Sequence, residues 1–122
     1  MVKQTSKFVT YQLTISISKP VMIAIGKFGL FNFPAGEYVY TGSARRHIDA
    51  RIARHLRAEK TLRWHIDYLL NMPEAAVIKV SQFTEAECEV NQRTGGLPLI
   101  NRFGATDCVN GCGTHLKLMK NY

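Results

Sequence analysis

From residue 11 the chain alternates strictly: Tyr11, Leu13, Ile15 and Ile17 are apolar, while Gln12, Thr14, Ser16 and Ser18 are polar. Successive side chains of a strand point to opposite faces, so this period of two puts one apolar row on a core and one polar row outside. With 122 residues there is material for one core, and residues 1–122 read as a single domain. A hydrophobic fraction of 46% beside 20% charged residues excludes a disordered, collagenous or coiled-coil chain.

The elements that follow can be read from local pattern. Residues 21–25 form a short β-branched run ended by Gly26, and 27–29 turn the chain into 30–33, which predicts a hairpin. Residues 37–41 are rich in strand formers and run into Gly42 and Ser43, a strand-to-helix corner that Ser43 could cap. Over 44–59, Ile48, Ile52 and Leu56 recur every four residues beside Ala53, with His47, Arg51, Arg54 and His55 as the neighbouring polar stripe. A second helix is predicted over 61–71, burying Trp64, Tyr68 and Leu69 or Leu70 before Met72 and Pro73 stop it. Residues 75–83 read as a strand with Ala76, Ile78 and Val80 on one face and Val77, Lys79 and Ser81 on the other. Thr84, with Glu87 three residues later, has the spacing of a capping box and opens a helix over 85–93. A final short strand is expected over 114–119. The fold class is therefore α/β of the α+β kind: a small, mostly antiparallel sheet carrying Tyr11 and Tyr40, flanked by helices.

Sixteen Lys and Arg stand against nine Asp and Glu, a formal net charge of +7. The excess is concentrated. Arg45, Arg46, Arg51, Arg54, Arg57, Lys60 and Arg63 fall in one stretch whose only acids are Asp49 and Glu59, which favours a polyanionic partner, nucleic acid above all. No apolar run approaches the roughly 20 residues of a membrane span, so no membrane partner is expected. The three cysteines, Cys88, Cys108 and Cys112, are an odd count that suits free thiols and a cytoplasmic location.

Tyr11 on an early strand, Tyr40-Thr41-Gly42 ending a later one, and Arg51 with His55 on the next helix together resemble the GIY-YIG nuclease superfamily. Within it, the resemblance is closest to a family of small domains, some fused to endonuclease-III-type glycosylases. Its pattern runs through residues 36–44, 50–56 and 64–70, then Glu87-Cys88-Glu89, Phe103-Gly104, Asp107-Cys108, Cys112 and 114–116. The first motif here reads Val9-Thr10-Tyr11, keeping the tyrosine without the glycine, and a hairpin lengthens the interval to Tyr40. The resemblance implies a metal-dependent endonuclease hydrolysing DNA phosphodiester bonds, in DNA repair or processing, with DNA favoured over RNA.

Phosphodiester hydrolysis needs a positioned water, a proton acceptor, positive charge on the phosphate and, in most such enzymes, a divalent metal. By resemblance, Tyr11 and Tyr40 line the site and one of them is the general base; read from pattern alone, both equally fill a sheet face. Arg51 offers paired planar donors that match phosphate oxygens, and His55, one helical turn on, could bind phosphate or move a proton. As ordinary helix residues both would simply be solvated. Arg45, Arg46, Arg54, Arg57, Lys60 and Arg63 are the candidate nucleic-acid-binding cations. The resemblance assigns the metal ligand to Glu87, with Glu89 next, and a single carboxylate suits Mg2+ or Mn2+; the competing role for Glu87 is its capping box. Cys108, Cys112 and His115 would need Cys88 or Asp107 to make a zinc site, against which stand buried thiols. His65 and Asp67 are either cleft residues or a hydrogen-bonded structural pair. The same fold and basic helix would also serve a nucleic-acid-binding module with little or no catalysis.

Overall fold

The computed structural model describes residues 7–44, 46–57, 60–100, 102–104 and 113–122. Strands β1 (Thr10–Ile17), β4 (Gly36–Ser43), β5 (Ala75–Phe83) and β6 (Leu116–Asn121) form a four-stranded sheet in the order β5-β1-β4-β6, every neighbouring pair antiparallel. Strands β2 (Val21–Ile25) and β3 (Gly29–Phe33) form the expected hairpin as a separate two-stranded sheet. Three helices complete the α+β domain: α1 (Ile48–Leu56), α2 (His65–Leu70) and α3 (Glu87–Arg93).

The apolar row of β1 is buried as its alternation requires, with Leu13 opposite Tyr40 and Ile15 opposite Tyr38 on β4. Leu116 and Leu118 of β6 extend this face, and Ile48, Ile52, Ile66 and Leu69 from α1 and α2 close over it with the hairpin's Ile23, Ile25 and Phe33. Burial of this apolar surface is the main favourable term in folding. Helix α3 lies against the other face, the one that carries Gln12 and Lys117: Gln12 Nε2 donates to Thr94 Oγ1 at 2.7 Å, and Lys117 Nζ donates to the carbonyls of Asn91 and Thr94.

Several local expectations are corrected by tertiary context. Helix α1 covers 48–56 instead of 44–59, because β4 runs on through Gly42 and Ser43 and so leaves Ser43 in a strand and not at a cap. His47 takes the N-cap position, in a left-handed conformation. The buried row of α1 is Ile48, Ile52 and His55; Leu56 is 53% exposed and Ala53 is exposed. The spacing i, i+4, i+7 follows the 3.6-residue turn more closely than i, i+4, i+8, so the imidazole enters the core where a leucine was expected.

Helix α2 is shorter than 61–71, and its buried residues are Ile66, Asp67 and Leu69, with Trp64 and Tyr68 only half-buried at its margin. Helix α3 begins at Glu87, with Ala86 at the N-cap and no side-chain cap, so the Thr84–Glu87 capping box does not form. In β5 the expected alternation fails at a bulge: Lys79 faces Thr14 and Val77 faces Ile15, leaving Ile78 between them. The extra residue reverses the parity of the strand, putting Val80 and Val77 on the same side as Leu13 and Ile15, while Ile78 is 55% exposed. The last strand starts at Leu116, two residues later than expected.

Candidate functional site

Tyr11 and Tyr40 stand on adjacent strands of the covered face, near the end of the sheet where β4 leaves for α1. Tyr11 is directly opposite Gly42, and its ring lies over that glycine: a Cβ at position 42 would stand 2.5 Å from the phenol oxygen. The glycine of the Tyr40-Thr41-Gly42 segment is thus required by the neighbouring strand's aromatic ring, as well as by the corner that follows. Gly104, at φ +66°, passes close to Tyr40 in the same way, 3.0 Å from an added Cβ to the ring.

The Tyr11 hydroxyl lies 2.6 Å from His55 Nε2, a buried hydrogen bond that joins β1 to the inner side of α1. Arg51, one turn earlier on that helix, brings its positive charge close enough to the Tyr11 phenol to lower its pKa. Tyr40 sets its ring edge-on to His55 at 6.1 Å between centroids. Two phenols, an imidazole and a guanidinium therefore converge, as the i, i+4 spacing of Arg51 and His55 allows.

Burial pushes the Tyr11 phenol well above its ordinary value; Arg51 pulls it back down and the Glu87 carboxylate pushes it up. Tyr40 is raised in the same way, first by burial and then by Tyr11 and Glu87. His55 moves down to about 4, because burial disfavours the imidazolium, against which Asp67 acts while Lys60, Arg54 and Arg51 reinforce it. At neutral pH the imidazole is uncharged, and its tautomer sets which of Nε2 and the Tyr11 hydroxyl donates in their hydrogen bond.

Glu87 reaches this end of the sheet from α3. Ser43 Oγ donates to its Oε1 at 3.0 Å, and His115 Nδ1 lies 3.0 Å from its Oε2. The carboxylate is about a quarter exposed, 26%, and the Ser43 hydrogen bond fills only one of the lone-pair positions that a carboxylate carries. One accessible carboxylate among hydroxyls suits Mg2+ or Mn2+, which keep most of their water, so the residues present fit such an ion. No group of three or more His, Cys, Asp or Glu side chains gathers among the described residues. Of the zinc candidates, His115 faces Glu87, and Asp107, Cys108 and Cys112 lie outside the described residues; Cys88 is half-buried on α3, and Glu89 is exposed on the same helix.

The expected cations divide into two kinds. Arg54 grips Asp67 with both guanidinium nitrogens, at 2.9 and 3.0 Å, and also donates to Thr61 O. Lys60 directs its ammonium at the carbonyls of His55 and Arg57, at 2.6 and 2.9 Å, and at Arg54 O, so it closes the C-terminal end of α1. Arg46, Arg57 and Arg63 are exposed, and Arg45 lies outside the described residues. Three guanidiniums surround Trp64, Arg54 at 4.3 Å, Arg51 at 4.7 Å and Arg63 at 5.7 Å from the indole centroid. Of these three, only Arg54 has a carboxylate partner among the described residues.

Asp67 is fully buried and accepts from Arg54 and from the backbone N–H groups of Arg63 and Trp64. Burial alone would raise its pKa, but Arg54 and the two amides hold it below the usual carboxylate range. It is the anchor of the arginine-rich face and not a partner of His65. His65 instead stacks on Phe28 of the hairpin turn at 4.1 Å and accepts a hydrogen bond at Nδ1 from Gly104 N. Pattern in the sequence held no sign of the Gly42, Asp67 and His115 roles; only the identity of the residues marked them out.

A small basic α+β domain with two tyrosines, an arginine, a histidine and a glutamate gathered at one end of an antiparallel sheet is what the fold defines. The chain belongs to the family described as Domain of unknown function DUF123, which matches residues 10–122. No curated protein matches it, and no solved structure does. No helix among the described residues is long and apolar enough to cross a membrane.

Proposed function

We propose that this domain is a metal-dependent endonuclease that hydrolyses DNA phosphodiester bonds at the Tyr11, Tyr40, Arg51, His55 and Glu87 cluster. The observation that carries the reading is the 2.6 Å bond between Tyr11 Oη and His55 Nε2, with the Arg51 charge acting on the same phenol. Arg51 takes a phosphate oxygen and sets the phosphorus beside Tyr11. A free phenolate is disfavoured there, so Tyr11 accepts a proton from the attacking water only as its own proton passes to His55 Nε2. Burial leaves His55 unprotonated at neutral pH but makes its imidazolium costly, so the proton it takes must pass on quickly or be offset by the nearby Asp67 carboxylate. Tyr40 walls the site beside His55 and limits access of further water. Glu87 would hold Mg2+ or Mn2+, whose contribution is positive charge at the departing oxygen. Arg46, Arg57 and Arg63 lie on the exposed side and track the flanking phosphates.

DNA as the preferred polymer follows from the resemblance to GIY-YIG nucleases. The test is cleavage of single-stranded, nicked and branched DNA, and of RNA of the same sequence, with Mg2+ or Mn2+. Loss of cleavage in Arg51→Ala and Glu87→Ala is the expected result; equal activity in all three proteins overturns the reading. The burial of both phenols favours a second reading, a nucleic-acid-binding module that hydrolyses slowly or not at all. Salt-sensitive binding without metal-dependent cleavage would select it.

A further inference from the structure

We infer that His115 and Ser43 are positioning residues that together aim the Glu87 carboxylate into the site. The inference rests on the reading of Glu87 as the residue that would hold a divalent cation. Ser43 Oγ donates to Oε1 and His115 Nδ1 sits against Oε2, both at 3.0 Å, so the two oxygens of one carboxylate are approached from two different parts of the chain. A glutamate alone has three rotatable side-chain bonds, and two separate contacts select one orientation among them.

The His115 contact is well placed because its backbone is held on both sides. His115 N donates to Phe103 O at 2.8 Å and its carbonyl accepts from Thr41 N at 2.9 Å, which pins it to β4 beside Tyr40. Asn91 Nδ2, one turn on from Glu87, donates to Thr114 O at 2.8 Å and so ties α3 to the same turn. The buried imidazole therefore stands at a fixed distance from the helix that carries the carboxylate. A polar ring placed against an accessible carboxylate orients it for an ion, and loss of such a partner lowers metal affinity by about 10- to 100-fold in metal sites generally.

The test is Mn2+ binding to the full chain, read from the electron paramagnetic resonance signal of free Mn2+, for wild type, Glu87→Gln, His115→Ala, His115→Asn and Ser43→Ala, each with its thermal midpoint. Expected are loss of binding in Glu87→Gln, weakening of about 10-fold or more in His115→Ala and a smaller weakening in Ser43→Ala. His115→Asn places an amide nitrogen the same number of bonds from Cα as Nδ1, and recovers most of the affinity. Should His115→Ala not fold, the Asn and Ser43 variants still decide. Unchanged Mn2+ affinity in His115→Ala and Ser43→Ala, with binding lost in Glu87→Gln, overturns this inference alone. A parallel loss of thermal midpoint and affinity without recovery by Asn marks a structural role and also overturns it. No Mn2+ binding by wild type, or equal binding by Glu87→Gln, overturns the reading of Glu87 and this inference together.

Discussion

The ring of Tyr11 lies across the backbone of Gly42, its direct partner on the neighbouring strand, and occupies the space where any other residue would carry Cβ. Gly42→Ala must push the phenol aside, because the strand pairing leaves the backbone no room to retreat. The cost of such overpacking is about 1–3 kcal/mol, visible as a lower urea midpoint. Displacement of Tyr11 also breaks its bond to His55, so cleavage is expected to fall by at least about 100-fold, the size of a misplaced catalytic group. Tyr11→Phe in the same background should restore no activity and relieve only part of the strain, since the ring carbon Cζ stands as close to the added Cβ as the hydroxyl does.

Asp67→Ala removes the carboxylate partner of both Arg54 nitrogens and the acceptor for the Arg63 and Trp64 amides, leaving Arg54 only Thr61 O. Leaving a half-buried guanidinium and two N–H groups without this partner costs about 3–5 kcal/mol by equilibrium unfolding. Arg54→Ala should cost a comparable amount, and the double variant less than the sum, because each single change strands the other charge.

His55 sets a pH dependence of stability. Its value is about 4 in the fold against an ordinary 6.5, so between these two pH values the unfolded chain holds a proton that the native chain does not. Stability is then complete above about pH 6.5 and falls as the pH is lowered toward 4, where the native imidazole also protonates. A further loss at more acid pH belongs to Asp67, whose depressed carboxyl stabilises the fold above its unfolded value of 3.8 and ceases to do so on protonation. Urea midpoints measured across this range should show the first slope in wild type and a flatter one in His55→Gln.

The cations of the arginine-rich stretch should separate by role. Arg46→Ala, Arg57→Ala and Arg63→Ala each remove an exposed charge, and each is expected to flatten the dependence of log K on log salt by about 0.9 when duplex DNA binding is followed by fluorescence anisotropy. Lys60→Ala instead exposes carbonyls at the end of α1 and lowers stability by about 1 kcal/mol, with the salt slope unchanged.

Arg51→Lys is a sharper probe than Arg51→Ala. A lysine keeps the charge but lacks the planar pair of parallel donors that matches two phosphate oxygens, so recovery of cleavage over the alanine variant should stay below about tenfold. The comparison is made at saturating Mg2+, with binding measured separately.

What local pattern determined here is whatever depends on near neighbours in the chain. The buried row of β1 follows from its alternation, the hairpin from two β-rich runs around a glycine turn, and the basic stretch from composition alone. The resemblance in motifs singled out Tyr11, Tyr40, Arg51, His55 and Glu87, residues that the fold brings to one end of the sheet. Tertiary structure decided the rest, because the deciding partner is remote. The bulge at Ile78 is set by pairing with β1, and the entry of His55 in place of Leu56 by the Tyr11 hydroxyl waiting on another strand. Gly42 is small for the sake of a ring 31 positions away in the chain, Asp67 takes an arginine from the preceding helix, and Glu87 is held by residues of β4 and of the turn before β6. Periodicity records which side of an element is buried; which atom meets which depends on contacts between segments that only the packed chain brings together.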